Sequence, residues 1–370
     1  MASVSTSENL YKEERLPGKG VGCIARVKIK KGDLVLREAP QLLHPVLSPV
    51  KLSEDQTSEE NVKHYRDCVF AFMEMSEEDQ KSYMELFDKF EANKAWPSDM
   101  QKKYLDWQNL LRERPIPNIS QEDALKAMAI VETNGFHNGV CLKMSRFNHS
   151  CQPNAQYFWN EDTDTRDMRA LRKIKQGEEI TVSYISIGRE QLFGRDERHN
   201  YIKDTYHFDC RCKACDMAGE EVESETKLID DYKEEMLRRQ QFQDAANAAT
   251  NGRDAQAWMW SELECLKKMY QTAKQVKTFN RRYFLWDIVE KAFDVSAQGA
   301  MSAAASWNME SAKSSWMKEA KQFADIGLEM AKTLNGPDHS ETKAWRERSD
   351  DPIRFFLDKF GGATKQIAIA

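Results

Sequence analysis

Two kinds of hydrophobic spacing divide this chain. Up to about residue 216, short apolar stretches alternate with polar residues at a period of two, interrupted by one helical block; beyond it, apolar residues return every three or four positions. Gly18 to Pro40 predicts strands and turns: Val27 and Ile29 alternate with Lys28 and Lys30, Lys31-Gly32-Asp33 makes a turn, and Leu34-Val35-Leu36 begins the next strand. Ser48 to Asn61 is polar and acidic, the composition of a linker. Val62 to Arg114 predicts helices, with Phe70, Met73, Phe87 and Phe90 as its apolar positions, until Pro115-Ile116-Pro117 breaks the pattern. Ser120 is a candidate N-cap for a further helix to Val131, with Asp123 three residues on. Asn154–Trp159 and Arg166–Leu171 predict two strands joined by the polar turn 160–164, and Gly177 precedes another strand from Ile180 to Tyr184.

After Asp216 the strand signals stop. Met259, Leu263, Leu266 and Tyr270 form one helical stripe, Phe279, Tyr283, Trp286 and Phe293 a second, and Phe323, Ile326, Met330 and Leu334 a third, before Asn335-Gly336-Pro337 ends the last long helix. The expected organisation is an N-terminal tail over 1–16, a mixed α+β region over 17–216 with a helical insertion at about 62–131, and an all-α region over 217–370. The last is expected to be a bundle or a tetratricopeptide-like array of helical hairpins, although the roughly 34-residue repeat of that class does not recur cleanly.

Composition narrows the function classes. With 54 basic against 60 acidic residues the formal charge is −6, which argues against a dedicated nucleic-acid binder. No apolar run approaches the roughly 20 residues of a membrane helix, and Met1–Asn9 is Ser/Thr-rich without a basic region followed by an apolar one. The expectation is a monomer in the cytoplasm or nucleus, without direct contact to nucleic acid or membrane. Lys28, Lys30 and Lys31 have the look of a nuclear-targeting patch, but fit better as the solvated face and end of a strand. Eight cysteines in 370 residues are no disulfide scaffold, so the thiols are expected to be reduced and free, or metal-bound.

Cys210-x-Cys212-x-x-Cys215 places three thiols within one tight turn. Zinc prefers four soft or borderline ligands in a tetrahedron, so the turn is an incomplete site. Among the remaining cysteines and nearby histidines (Cys23, Cys68, Cys141, Cys151, Cys265, His149 and His207), Cys151 is the expected fourth ligand, because Pro153 stiffens its loop and that loop carries the chain's other strong motif. Four cysteines leave no open position, which makes the zinc structural.

That motif is Arg146-Phe147-Asn148-His149-Ser150-Cys151-Gln152-Pro153-Asn154. It is followed by Gly177-Glu178-Glu179-Ile180-Thr181-Val182-Ser183-Tyr184 and then by the cysteine turn, which Tyr206-His207-Phe208-Asp209 leads into. In this order the segments resemble the SET-domain lysine methyltransferases, and more closely their SET-and-MYND (SMYD) branch. Gly18-Lys19-Gly20-Val21-Gly22 is similar to the family's opening loop, and Asn134-Gly135-Phe136 to a further segment. The likeness covers Pro17 to Cys215. It implies a β-fold with a pseudoknot, a post-SET zinc knuckle at 206–216, S-adenosylmethionine as methyl donor with S-adenosylhomocysteine as product, and a narrow channel for a substrate lysine.

Carried over by position, the resemblance implies that Lys19, Gly20 and Val21 line the methionine end of the cofactor. Asn134, Asn148 and His149 hydrogen-bond it, Phe208 stacks near its adenine, Tyr206 lines the lysine channel and Tyr184 is the catalytic tyrosine, also at the cofactor. The SMYD branch inserts a finger that binds two zinc ions and so needs roughly eight Cys or His ligands. Between Leu43 and Asn134 only His44, His64 and Cys68 are available, so that finger is expected to be missing, as in fungal proteins of this kind. Val21 stands where some members carry Arg.

The chemistry needs little beyond this. A free lysine, with a pKa of about 10.4, is protonated at neutral pH. A nonpolar channel beside a sulfonium cation lowers that pKa, and alignment of the reacting atoms supplies much of the remainder. Adjacent strand residues face opposite ways, so Glu178 and Glu179 are not expected to share a proton. The sequence predicts a protein-lysine N-methyltransferase, histone or non-histone, with a partner protein docking on the helical region. The competing functions are a catalytically weak interaction scaffold of the same fold and a methyltransferase for a small-molecule amine.

Overall fold

The computed structural model describes residues 10–43, 58–92, 98–136, 139–185, 192–276, 278, 284–304 and 310–364. Three three-stranded sheets make up its β-region. In the first, β1 (Tyr11–Leu16) and β2 (Gly20–Ala25) form a hairpin from Tyr11↔Ala25 to Leu16↔Gly20, and β2 continues to β9 (Glu179–Ile180). The hairpin turn contains Gly18 at φ +71° and Gly20 at φ +69°, the left-handed region in which a side chain is strained. In the second, β8 (Thr165–Ala170) lies between β3 (Leu34–Glu38) and β7 (Ala155–Asn160). The third joins β4 (Leu42–Leu43), β6 (Gly139–Val140) and β5 (Gly135–Phe136). Cys23, Ile29, Val35, Leu36, Phe147, Met168, Ile174 and Ile180 share the core between the first two sheets.

The insertion consists of α1 (Ser58–Met73), α2 (Glu77–Met84), α3 (Lys89–Ala92), α4 (Ser98–Glu113) and α5 (Gln121–Asn134). Helix α5 is the axis of this block, buried along Ala124–Val131 except for Lys126, with α1, α2, α3 and α4 packed on it. Its N-cap is Ser120, whose hydroxyl accepts from the amide of Asp123 at 3.0 Å. Helix α6 (Arg195–Tyr206) leads into the cysteine turn. The all-α region follows: α7 (Glu220–Ala248), α8 (Gly252–Gln275), α9 (Phe284–Ala304), α10 (Glu310–Leu334), α11 (Ser340–Asp350) and α12 (Pro352–Thr364), with consecutive helices packed side by side. Among the described residues, no helix is long and apolar enough to cross a membrane.

Several expectations need correction. Tyr11–Leu16, assigned to the tail, is a strand: its four central residues are exposed, so it has no apolar alternation, and main-chain pairing with β2 holds it. Val27–Lys30 is not a strand but an isolated bridge at Ile29, and the strand expected over 180–184 is ordered as β9 and a bridge at Val182. Phe70 and Phe87 are 39% and 58% exposed, whereas Phe90 is in the core. Ser58–Asn61 opens α1 rather than closing a linker; residues 48–57, Met1–Asn9, Phe279 and Tyr283 lie outside the described residues.

The helical core is packed tightly around two tryptophans. A Cβ added at Gly327 in α10 would run into the six-membered ring of Trp345, which is 0% exposed and is walled by Trp286 and Phe293. Gly327→Ala gains about 1 kcal/mol of helix propensity, but overpacking costs about 1–3 kcal/mol. Since Trp345 has nowhere to move, the variant is expected to melt at a lower temperature than the parent; an unchanged or higher melting temperature contradicts this packing.

Candidate functional site

The loop 147–154 is laced to the segment 179–184 through main chain and one asparagine. The amide of Val182 donates to the Asn148 carbonyl at 3.0 Å, and the amide of Ser150 donates to the Val182 carbonyl at 2.9 Å, which makes a parallel bridge around His149. The amide and carbonyl of His149 are left outside that ladder. Asn154, 2% exposed, spends its whole carboxamide on the same strand: Nδ2 donates to the Glu179 carbonyl and Oδ1 accepts from the Thr181 amide, both at 2.8 Å. Asn is suited here because it offers one donor and one acceptor in a plane.

Tyr184 emerges from this lacing with every polar atom engaged. Its hydroxyl donates to the Phe147 carbonyl at 2.8 Å, its amide donates to His149 Nδ1 at 2.9 Å, and its carbonyl accepts from the Tyr206 hydroxyl at 2.8 Å. The Tyr184 ring lies 5.2 Å from that of Tyr206 and 5.3 Å from that of His149. Burial raises the phenol pKa of both Tyr184 and Tyr206, so both stay protonated at neutral pH. Tyr157 of β7 stands near enough to raise both further, and it packs edge-on against Phe136 at 5.1 Å. Tyr157 was not among the expected site residues; its only signal in the sequence was its place in the alternation of β7, where Gln156 and Phe158 are buried and Tyr157 is half-buried.

Because His149 Nδ1 accepts a hydrogen bond, its proton resides on Nε2, which is 3.2 Å from Cys151 Sγ. His149 therefore joins the tyrosine side of the site to a thiol cluster. The sulfurs of Cys151, Cys210, Cys212 and Cys215 lie within 4.8 Å of one another, and Cys151 is 3.6 Å from Cys215. A tetrahedron with metal–sulfur bonds of about 2.3 Å has sulfurs about 3.8 Å apart, so this donor set fits a zinc-type ion with four thiolates. The four thiols hydrogen-bond one another and share protons unequally: contact with Cys151 above all lowers Cys210 and Cys212, while Cys151, chiefly through Cys210, and Cys215 are pushed up. The turn is held from outside by Arg195 Nε, which donates to the Cys215 carbonyl at 2.9 Å, and by the buried Arg198, which bonds the carbonyls of Phe193 and Ala214 and pairs with Glu225 of α7 at 2.8 Å.

On the other flank, Glu179 binds two of the expected cofactor contacts. Lys19 Nζ lies 2.7 Å from Glu179 Oε2, and Asn148 Nδ2 donates to Oε1 at 3.0 Å. A Cβ on Gly22 would come within 2.6 Å of Asn148 Nδ2 and of Leu16 Cδ1, so only glycine lets β2 approach this side chain. Val21 pairs with Arg15 in the hairpin next to Gly20. Phe208 is 37% exposed, its ring 6.2 Å from that of His149. An exposed aromatic face, a neighbouring unladdered peptide, and a carboxylate with an ammonium and an amide are a donor set that fits an adenosyl amino acid. Asn134 is placed differently: its Nδ2 is committed to the carbonyls of Phe87 and Ile130 at the end of α5, at 2.8 and 3.0 Å. Glu178 and Glu179 do face different partners, Glu178 taking Arg172 at 2.6 Å.

Residues 20–185 match the family described as SET domain. The chain carries a SET domain. A histone-lysine N-methyltransferase named set5 from Schizosaccharomyces pombe is 28% identical over 213 residues, covering 58% of this chain and 52% of that protein. A putative SET domain-containing protein of Acanthamoeba polyphaga mimivirus is 27% identical over 224 residues, 56% of this chain and 78% of that protein. The mouse protein-lysine N-trimethyltransferase SMYD5 is 36% identical over 78 residues, 21% of this chain and 18% of that protein. The chain thus spans about half the length of the set5 protein and less of SMYD5. Among the described residues, helices α1–α5 make up the insertion, and the one group placed to hold a metal ion is the four-cysteine cluster outside it.

A buried carboxylate supports the loop 147–154 from behind. Glu38, 3% exposed, accepts from the amides of Lys143 and Met144 at 2.9 and 2.8 Å and so caps the 3-10 turn Met144–Arg146 that precedes Phe147. Burial pushes its pKa up to about 7 despite those hydrogen bonds. The folded state then holds a proton that the unfolded chain, near 4.5, has lost, so stability falls as pH rises from about 4.5 to about 7 and is flat above, by up to about 3 kcal/mol. Glu38→Gln is expected to remove this component: the gap in melting temperature between parent and variant should change across that window in the parent's disfavour, whereas a gap constant from pH 5 to 7.5 contradicts it.

Proposed function

We propose that this chain is an S-adenosylmethionine-dependent protein-lysine N-methyltransferase stabilised by one structural zinc ion at Cys151, Cys210, Cys212 and Cys215. Residues Lys19, Gly20, Val21, Asn148, His149 and Phe208 would hold the cofactor, His149 through its main chain and Asn134 only through its remaining amide oxygen. The cofactor supplies an electrophilic methyl group on a sulfonium. The residues of the chain position the amine. Tyr184, Tyr206 and Tyr157 wall a channel of aromatic rings that keeps water out and disfavours an ammonium. The Tyr184 hydroxyl is kept protonated and oriented by the Phe147 carbonyl, and its oxygen retains acceptor capacity for an amine N–H or a polarised C–H. It acts by alignment, not as a strong base.

The observation that carries this reading is the full engagement of Tyr184, at the point where the loop 147–154, the 179–184 segment and Tyr206 meet. The relatives named for histone-lysine and protein-lysine methylation favour a lysine in a protein over a small-molecule amine, and the histone name favours action in the nucleus. The helical region is the proposed surface for a protein partner. Transfer of labelled methyl groups from the donor to whole-cell lysate tests the reading. The parent is expected to label protein bands and Tyr184→Phe to lose about 10- to 100-fold in rate, the scale set by misplacing a reacting group by about 1 Å, with its melting temperature retained. Equal labelling by both forms, or none by the parent, overturns it.

A further inference from the structure

The charge of −6 is not spread evenly over this molecule. Ile29 and Ile174 form a reciprocal bridge in which each amide donates to the other's carbonyl at 3.0 Å. Both isoleucines are 0% exposed, so the side chains on either side of them point the opposite way. These are Lys28 and Lys30 on one segment and Lys173 and Lys175 on the other, all exposed, and Arg26 and Lys31 extend the first segment. Among the described residues no ion pair engages any of these six side chains, while Arg172 beside them is taken by Glu178. Lys28 is close enough to Lys173 for its charge to lower the pKa of that ammonium group. Two carboxylates adjoin the ridge, Asp33 accepting from the Lys30 amide at 2.7 Å and Glu178 from the Lys175 amide at 2.9 Å, but among the described residues neither forms an ion pair with these lysines.

We propose that this lysine ridge is a docking surface for the phosphate backbone of a nucleic-acid duplex. Its spacing is suited to a line of phosphates: residues two apart on an extended segment are about 7 Å apart, and paired segments lie about 5 Å apart. The bridge fixes that grid in advance, unlike a basic tail. A protein partner is disfavoured because protein interfaces concentrate apolar and aromatic groups at their centre and are depleted in lysine; here Val27, 43% exposed, is the one large apolar side chain exposed on the two segments. Protein–DNA interfaces have the opposite character, polar and strongly positive. The net charge that argued against a nucleic-acid binder was an average over helices whose acidic faces lie elsewhere, such as Glu220, Glu221 and Glu223 at the start of α7.

The proposal is independent of methyl transfer, and its test needs neither cofactor nor substrate. Fluorescence anisotropy with a labelled 20-base-pair DNA duplex would be measured on the full chain across a salt series. The parent is expected to bind, with log K falling linearly in log salt. The exposed-lysine variant K28Q/K30Q/K173Q/K175Q should bind at least tenfold more weakly, with a salt slope shallower by about 0.9 for each phosphate no longer neutralised. A control with four other exposed lysines replaced, K102Q/K227Q/K318Q/K343Q, should keep parental binding. Melting temperatures of all three forms verify that each is folded. No binding by the parent, equal weakening in the control, or equally tight binding of the ridge to poly-glutamate or to anionic lipid vesicles overturns the proposal.

Discussion

The arrangement rests on the convergence of four thiols that are distant in sequence. Cys151 lies within the loop that shapes the site, while Cys210, Cys212 and Cys215 lie beyond α6, and their sulfurs meet within 4.8 Å. Three of the four are buried to 4% exposure or less, with Ile185, Ile202 and Ala214 around them. Four unmetallated thiols in so small a space would have to share protons; a divalent ion replaces that arrangement with four strong bonds, and for structural zinc sites such bonds are folding energy outright. What the cluster fixes is position. It holds Tyr206 and Phe208, just before the turn, against Tyr184 and His149, just beside the loop, and His149 transmits the constraint through contacts on both of its ring nitrogens.

Among the described residues, the helical region is docked on this framework at two places. Arg198 of α6 is 2% exposed and reaches Glu225 at the start of α7, whose other oxygen takes the hydroxyl of Thr278 at 3.0 Å. A buried pair of this kind is weak evidence for stability, but removing one partner leaves a costly unpaired charge. At the far edge of the β-region, Asp162 in the β7–β8 turn accepts from the amide of Ser340 in α11 at 2.8 Å, His339 stands edge-on to Phe158 at 5.9 Å, and a Cβ on Gly336 would strike the guanidinium of Arg169. These contacts fall on the hairpin that carries Tyr157, so the orientation of the helices and the position of Tyr157 are set together.

Much of this was legible in the sequence, for identifiable reasons. The β-region, the helical block and the all-α region followed from a change of hydrophobic period, which is a local property, whereas the SET likeness came from three motifs in their order. The ligand spacing Cys210-x-Cys212-x-x-Cys215 demanded a fourth partner, and the motif around Cys151 offered it. What stayed hidden depends on pairing or on burial across long sequence separations. Tyr11–Leu16 lacks alternation because its four central residues are exposed; main-chain pairing with β2 and the Tyr11 ring, 5.0 Å from that of Phe147, hold the strand. Glu38 reads as an ordinary strand-end acid until burial and two amides from 105 and 106 residues away give it a structural task. Tyr157 becomes visible only when β7 is laid beside Tyr184, and the lysine ridge only when Ile29 finds Ile174. Asn134 shows the converse limit, since a motif position can be occupied by the right residue while its nitrogen is spent elsewhere.

X-ray absorption at the zinc edge of the purified chain, with metal content measured on the same sample, tests the central claim most directly. The account predicts one zinc per chain with four sulfur neighbours at about 2.3 Å, and three sulfurs in a Cys151→Ser variant. A chain without bound metal, or a first shell containing nitrogen from His149 or His207 in place of a sulfur, would contradict it.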